Sequence, residues 1–264
     1  MWSCYHESSD VMRTGLSVDE LRAVVESGAG TLWVDIDIRE PAAVALLSDV
    51  FHFHPLAIED SLNPQSRVKI EEYTGFLILI VRTIAFLEQT DDPYDIETVN
   101  LNCFLGRNFL VTAHGGHTLP LDATRATLDK RPELAAGGPA RLMHAVVDEA
   151  VNAYFPIIDQ LDEFMDGLEE KVFAAFDQSA LREIFSVKRL VLSLRRHLAP
   201  ERDVFSVLTN RPNALLTHDT QVYFRDIYDH ILRINDSLET YRELLNNTLD
   251  SYLTQVSNRV GTVK

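Results

Sequence analysis

Two pairs of side chains have the chemistry and the spacing to offer ligands to a cation. Asp226 and His230 are four residues apart, so they share one face of a helix. Glu59 and Asp60 are adjacent, so one can point to each side of a turn. Three carboxylates brought together without a cation repel one another, and Mg²⁺ prefers such hard oxygen ligands. Spacing alone still leaves a helix cap or a surface charge as the commoner role of Asp60 or Asp226.

Two histidine pairs suggest other metal chemistry but lack the rest of a site. His52 and His54 form half of a metallohydrolase His-x-His pattern, without the second histidine and bridging carboxylate at suitable spacing. His114 and His117 flank two glycines after a predicted strand, which favours a turn. The sequence contains no Gly-rich phosphate loop and no nucleophile elbow. We therefore predict no catalytic residues and no enzymatic activity.

Composition narrows the class of protein. The 264 residues carry a formal net charge of −16, which disfavours nucleic acid as a partner and suits cations, although solubility alone explains such a charge. The two cysteines, Cys4 and Cys103, are too few for a disulfide framework, which favours a reducing cytosol. We expect no signal peptide, and the longest apolar stretch, 75–87, is interrupted by Arg82 and too short to span a membrane.

The first 140 residues have the alternating pattern of an α/β domain. Ser17 is the expected cap of the first helix, and Glu20 closes a capping box with it. We predict a hairpin that turns at Gly106 and Arg107. The predicted helices cover 17–27, 41–51 and 121–130, and the predicted strands cover 31–35, 75–86, 95–105 and 108–113.

Residues 141–264 have almost only helical patterning. Apolar residues at spacings of three, four or seven predict one helix over 142–172, a second over 178–208 that Pro200 can bend, and a third over 220–261. The third helix would be about 60 Å long, as in a stalk or a coiled coil. Acids of the first helix and arginines of the second should pair along their rims. The predicted fold is α+β: a sheet domain over 1–140, then a long three-helix domain over 141–264.

Short segments spread along the chain match one known family in a single order. They are His54-Pro55-Leu56-Ala57-Ile58-Glu59-Asp60, Lys69-Ile70-Glu71, Phe104-Leu105-Gly106, Tyr154-Phe155-Pro156, Tyr223-Phe224-Arg225-Asp226 with His230, and Ser257-Asn258-Arg259. Together they resemble the cytoplasmic domain of the CorA-type magnesium and cobalt transporters over roughly 30–264, whereas the first 30 residues match weakly.

The resemblance implies a funnel-shaped homopentamer in the cell inner membrane. This part would be cytoplasmic and would sense Mg²⁺, with bound metal favouring the closed channel. The last helix would be the cytoplasmic part of the pore-lining helix, and two membrane helices with a Gly-Met-Asn motif between them, absent here, are expected after Lys264. No other cofactor is implied.

The resemblance also implies which residues bind the regulatory metal between neighbouring subunits. Glu59 and Asp60 carry over from the sheet domain, Asp148 from the first long helix, and Asp226 and His230 from the third. A slightly turned helix would put Glu149 in the place of Asp148.

Two alternatives share much of this pattern. A zinc-transporting relative has the same architecture, and the nine histidines do not decide between Mg²⁺, Co²⁺ and Zn²⁺. A soluble coiled-coil scaffold without transport would also show a long third helix.

Overall fold

A computed structural model of the chain describes residues 1–7, 11–87, 90–116, 118–174 and 178–262. These residues form a mixed sheet and a set of long helices, so the predicted α+β fold is confirmed. The strands are β1 (Trp2–His6), β2 (Met12–Thr14), β3 (Thr31–Asp37), β4 (Lys69–Tyr73), β5 (Phe76–Phe86), β6 (Ile96–Gly106) and β7 (Phe109–His114). The helices are α1 (Val18–Ser27), α2 (Pro41–Asp49), α3 (Pro55–Leu62), α4 (Leu119–Lys130), α5 (Glu133–Ala136), α6 (Pro139–Asn152), α7 (Phe155–Ala174), α8 (Gln178–Asn210) and α9 (His218–Thr262).

The strands form one sheet in the order β2-β1-β3-β7-β6-β5-β4. β3 and β7 are parallel and the other neighbours are antiparallel. β5 is apolar along most of its length because both faces of the sheet are covered there. β4 is an edge strand of the sheet. Its side chains lie beside those of α3.

Helices cover the two faces of the sheet as separate layers. α1, α2 and α3 contribute apolar side chains to the core on one face, together with Val34, Ile78 and Phe104. α4 and α6 pack on the opposite face, and this second core continues without a break into α7, α8 and α9. The division into domains 1–140 and 141–264 stays a prediction.

Several local predictions are confirmed. Ser17 caps α1, and its hydroxyl and the Glu20 carboxylate make both bonds of the capping box. The predicted hairpin is β6–β7, and α8 and α9 follow the predicted second and third helices. Pro200 lies inside α8. β1 and β2, in the segment with the weakest resemblance, were not predicted, and neither were α3, β4 and α5.

The single helix predicted over 142–172 is wrong. The chain forms α6 and α7 instead, with turn residues Ala153 and Tyr154 between them. Pro156 has no backbone N–H to donate to the carbonyl of Asn152, so an α-helix cannot continue through this point undisturbed. The break lets α6 lie against the sheet while α7 packs on α9.

The predicted charge pairing of the first two long helices is also wrong for the described residues. The ion pair between α7 and α8 joins Lys171 to Glu183 at 2.5 Å, which is opposite in sense to the prediction. Arg195 of α8 pairs instead with Glu239 of α9. The acidic side chains of α7 largely face solvent, where exposed ion pairs contribute little.

None of the helices in the described part of the chain is long and apolar enough to cross a membrane.

Candidate metal site

The crossing of α6 and α9 brings together three of the predicted ligands. Asp148 lies on α6, and Asp226 and His230 lie on successive turns of α9. The His230 ring lies between the two carboxylates, with Nδ1 3.9 Å from Asp148 Oδ1 and Nε2 3.8 Å from Asp226 Oδ2. Each of these three residues offers one ligand atom, and the three atoms all lie within 4.8 Å of one another. Among the His, Cys, Asp and Glu side chains of the described residues, this trio is the group that meets that distance.

Burial differs sharply across the trio. The side chain of Asp226 is 71% exposed, whereas those of Asp148 and His230 are 29% and 19% exposed. Asp148 Oδ1 and His230 Nδ1 are both shielded from solvent and make no hydrogen bond to the described residues. Polar atoms left this way are costly, so an additional partner would stabilise them.

The pKa of Asp148 is raised, first by burial and then by the nearby Asp226 carboxylate, while His230 opposes the shift. A divalent cation would remove this penalty because it favours the ionised carboxylate.

The trio is close enough to share a cation after small side-chain movements. Two ligands about 2.1 Å from one ion are about 3.0 Å apart at adjacent octahedral positions and about 4.2 Å apart at opposite ones, and the separations of 3.9 and 3.8 Å from His230 lie between these values. Only one nitrogen of a neutral imidazole can bind metal, because the other carries the proton. One nitrogen of His230 can therefore bind an ion together with one aspartate. The protonated second nitrogen would then face the other aspartate, and this contact would position the ring.

Glu59 and Asp60 lie elsewhere in the chain. Both lie within helix α3, so the expectation that they point to the two sides of a turn is wrong, and neither belongs to the trio. Asp60 Oδ2 instead accepts a hydrogen bond from the ammonium of Lys69 on β4 at 2.6 Å. No sequence pattern indicated that a cationic side chain would already bind this predicted ligand. Whether Glu59 and Asp60 meet the trio of a neighbouring copy stays a prediction.

The alternative ligand Glu149 is not part of the trio, which contains Asp148. Glu149 is half-buried, and its pKa is raised by burial and by the charge of Asp148.

Three of the four histidines in the two predicted pairs have structural partners. His54 caps α3, where its Nδ1 accepts a hydrogen bond from the N–H of Leu56. His52 Nδ1 lies 2.9 Å from the carbonyl of Ser48. His114 Nε2 lies 3.1 Å from the buried carboxylate of Asp35 and ends β7. His117 lies outside the described residues.

A buried carboxyl group outside the trio also escaped prediction. Glu201 of α8 has no exposed surface, and its Oε1 accepts a hydrogen bond from the backbone N–H of Arg82 on β5 at 2.8 Å. The Arg82 guanidinium contacts Asn100 and His197. This network joins the sheet to the long helices.

Comparisons with known proteins agree with this fold. Residues 28–263 match the family described as CorA-like Mg²⁺ transporter protein. The putative metal ion transporter YfjQ of Bacillus subtilis is 30% identical over 231 residues, which cover 88% of this chain and 70% of the relative. The cobalt/magnesium transport protein CorA of Thermotoga maritima is 26% identical over 271 residues, which cover 98% of this chain and 76% of the relative.

Solved structures show the same fold. The complete CorA magnesium transporter from Methanocaldococcus jannaschii superposes with a TM-score of 0.82 at 19% identity, covering 99% of this chain and 79% of that one. The ZntB cytoplasmic domain from Vibrio parahaemolyticus superposes with a TM-score of 0.79 at 15% identity, covering 97% of this chain and 98% of that one. The match over 28–263 spans most of the molecule, so this chain belongs to the CorA-like Mg²⁺ transporter family, a family of transporters rather than of enzymes.

Proposed function

We propose that this chain is the metal-sensing part of a divalent-cation transporter that moves Mg²⁺ or Co²⁺. A regulatory cation, Mg²⁺ in the first instance, would bind between neighbouring copies and favour the closed state. The observation that carries the proposal is the trio on α6 and α9, in which buried Asp148 Oδ1 and His230 Nδ1 lie 3.9 Å apart without hydrogen-bond partners among the described residues.

The exposure of Asp226 supports a site shared between copies. Its carboxylate projects from α9 into solvent while Asp148 and His230 stay in the crevice between the helices. A trio with one exposed ligand is open on one side, where Glu59 and Asp60 of a neighbouring copy could complete it. Mg²⁺ keeps several of its waters, so a few carboxylates from two copies suffice for a weak, reversible site.

Regulation follows from where such a cation would bind. An ion held by two copies stabilises the arrangement that collects its ligands and destabilises arrangements that separate them. In a pentamer anchored in the inner membrane through further C-terminal helices, cytoplasmic Mg²⁺ would thus hold the assembly closed. Depletion of Mg²⁺ would empty the sites and release it.

His230 makes the nature of the ion testable. Imidazole suits transition metals better than Mg²⁺, so Co²⁺ should raise the melting temperature at concentrations roughly tenfold below those of Mg²⁺. An ion at 100 times its dissociation constant stabilises the folded state by about 2.7 kcal/mol. His230→Gln should remove most of the preference for Co²⁺ while retaining part of the response to Mg²⁺. Differential scanning fluorimetry across both titrations measures these shifts.

The matched control is His218→Gln, because His218 is exposed at the start of the same helix and lies outside the trio. It should titrate like the wild type. Equal potency of Co²⁺ and Mg²⁺ on the wild type would count against His230 as a ligand. A response to neither ion would favour the scaffold alternative, and a response to Zn²⁺ alone would favour the zinc-transporting relative.

A further inference from the structure

The ammonium of Lys69 lies between two carboxylates, which is a position where a bound cation is expected. Its ammonium lies 2.6 Å from Asp60 Oδ2 and 2.9 Å from Glu71 Oε1, which is the contact distance of strong charge-assisted hydrogen bonds. Lys69 and Glu71 are two residues apart on β4, so they project from the same side of this edge strand. The Tyr73 hydroxyl donates to Glu71 Oε2 at 3.0 Å and fixes the far side of that carboxylate.

The surroundings explain why the ammonium is held there. A hollow of about 600 Å³ between α3 and β4 is lined by Glu59, Asp60, Glu71 and Glu72, with Lys69 as the cation among them. Burial lowers the pKa of Lys69, but the bonds to Asp60 and Glu71 outweigh it, so the pKa is raised and the side chain stays charged. The ammonium therefore neutralises part of an acidic surface that would otherwise repel itself.

We propose that Lys69 is a tethered competitor for the regulatory metal, whose ammonium must leave Asp60 before a divalent cation can bind there. This inference rests on the proposed function of Asp60 as a ligand and adds a residue that tunes the site. Glu71 gives the displaced ammonium a second partner, because its carboxylate is held in place by Tyr73.

Competition from the Lys69 ammonium makes the affinity for the metal weaker than the carboxylates alone would give. Each bound ion has to replace an ammonium at Asp60, and the exchange costs the Lys69–Asp60 ion pair. Both side chains are partly shielded, at 25% and 32% exposure, so the pair is screened less than a fully exposed one. Weak binding of this kind suits a sensor that must empty when the ion becomes scarce.

Lys69→Gln tests the proposal directly. It removes the competing charge and frees Asp60, so the Mg²⁺ concentration that half-saturates assembly should fall roughly three- to tenfold. Lys69→Arg keeps the charge and should leave the midpoint at or above that of the wild type, because guanidinium binds carboxylates at least as firmly. The readout is oligomer mass by mass photometry during a MgCl₂ titration, with melting temperature in EDTA as the test of folding.

Lys130→Gln is the matched control, because it makes the same change in net charge at an exposed site at the end of α4. A Lys69→Gln midpoint equal to or above that of the wild type would overturn the role of Lys69. If Lys69→Gln does not fold, a Lys69→Arg midpoint clearly below that of the wild type overturns it instead. Failure of the proposed function looks different: the wild type and Asp226→Asn would both lack any metal-dependent change in mass.

Discussion

Replacing Glu201 with glutamine is expected to stabilise the folded chain at pH 9 by on the order of 4 kcal/mol and to change its stability little at pH 5. Complete burial raises the pKa of Glu201 from 4.5 to about 8, against the opposing effects of the hydrogen bond from Arg82 and of its charge. The second carboxyl oxygen, Oε2, has no hydrogen-bond partner among the described residues. The folded chain therefore holds this group as the neutral acid near neutral pH.

The sign of the pH dependence follows from proton counting. Between about pH 4.5 and 8, the folded chain keeps a proton on Glu201 that the unfolded chain has released. The free energy of unfolding must then fall as the pH rises through this window, and the loss is complete above pH 8. Glutamine keeps the acceptor for the Arg82 N–H and carries no charge, so it removes this dependence.

The neighbours of Glu201 are the same in the wild type and in Glu201→Gln, so the comparison isolates the carboxyl. Burial and the charges of Arg82 and Arg196 lower the pKa of His197, which disfavours a second positive charge beside Arg82. Burial raises the pKa of Tyr154 well above its usual value, so the phenol stays neutral. Arg82 remains the charged group beside the carboxyl.

Urea unfolding in EDTA at pH 5 and pH 9 measures the difference between Glu201→Gln and the wild type. Glu201→Leu is the control, because it loses the acceptor for the backbone N–H and should be less stable than Glu201→Gln at both values of pH. Equal pH dependence in the wild type and Glu201→Gln would contradict burial of an uncharged carboxyl at this position.

Asp60→Asn and Asp226→Asn are each expected to abolish most of the Mg²⁺-dependent association, and the double variant is expected to lose little more. If one carboxylate from each of two copies binds the same ion, removing either breaks the bridge, so the two effects cannot add. Light scattering or mass photometry across a MgCl₂ titration would compare the wild type, both single variants and the double variant.

Asp236→Asn is the control for this series, because it removes an exposed carboxylate of α9 outside the trio. It should associate like the wild type. Additive losses in the double variant, or an unchanged Mg²⁺ midpoint in the single variants, would show that Asp60 and Asp226 do not share an ion.

The fold was largely predictable where the signal is local. The capping box at Ser17 and the uninterrupted apolar stripe of α9 depend on neighbours in sequence, so the sequence carries them. β1 and β2 depend on pairing with each other and with β3, and β2 has only three residues, so local patterning was too weak to predict them. The break before Pro156 was missed because the apolar spacing keeps its phase across it.

The candidate site was likewise predictable only where its residues are close in sequence. Asp226 and His230 follow from a spacing of four on one helix, whereas adding Asp148 needed either the family resemblance or the packing of α6 on α9. The contact of Lys69 with Asp60 depends on how α3 packs beside β4, which no local pattern reports. Glu201 did leave a signal, because its spacing from Leu198 and Phe205 puts it on the buried stripe of α8.

The most direct test of the central claim is an anomalous difference map at the cobalt absorption edge, from crystals of this chain grown with CoCl₂. We expect a peak bonded to Asp226, with His230 or Asp148 beside it and Asp60 of a neighbouring copy on its other side. A map with no peak at Asp226, or a fully liganded ion there that no neighbouring copy approaches, would contradict a metal that bridges subunits.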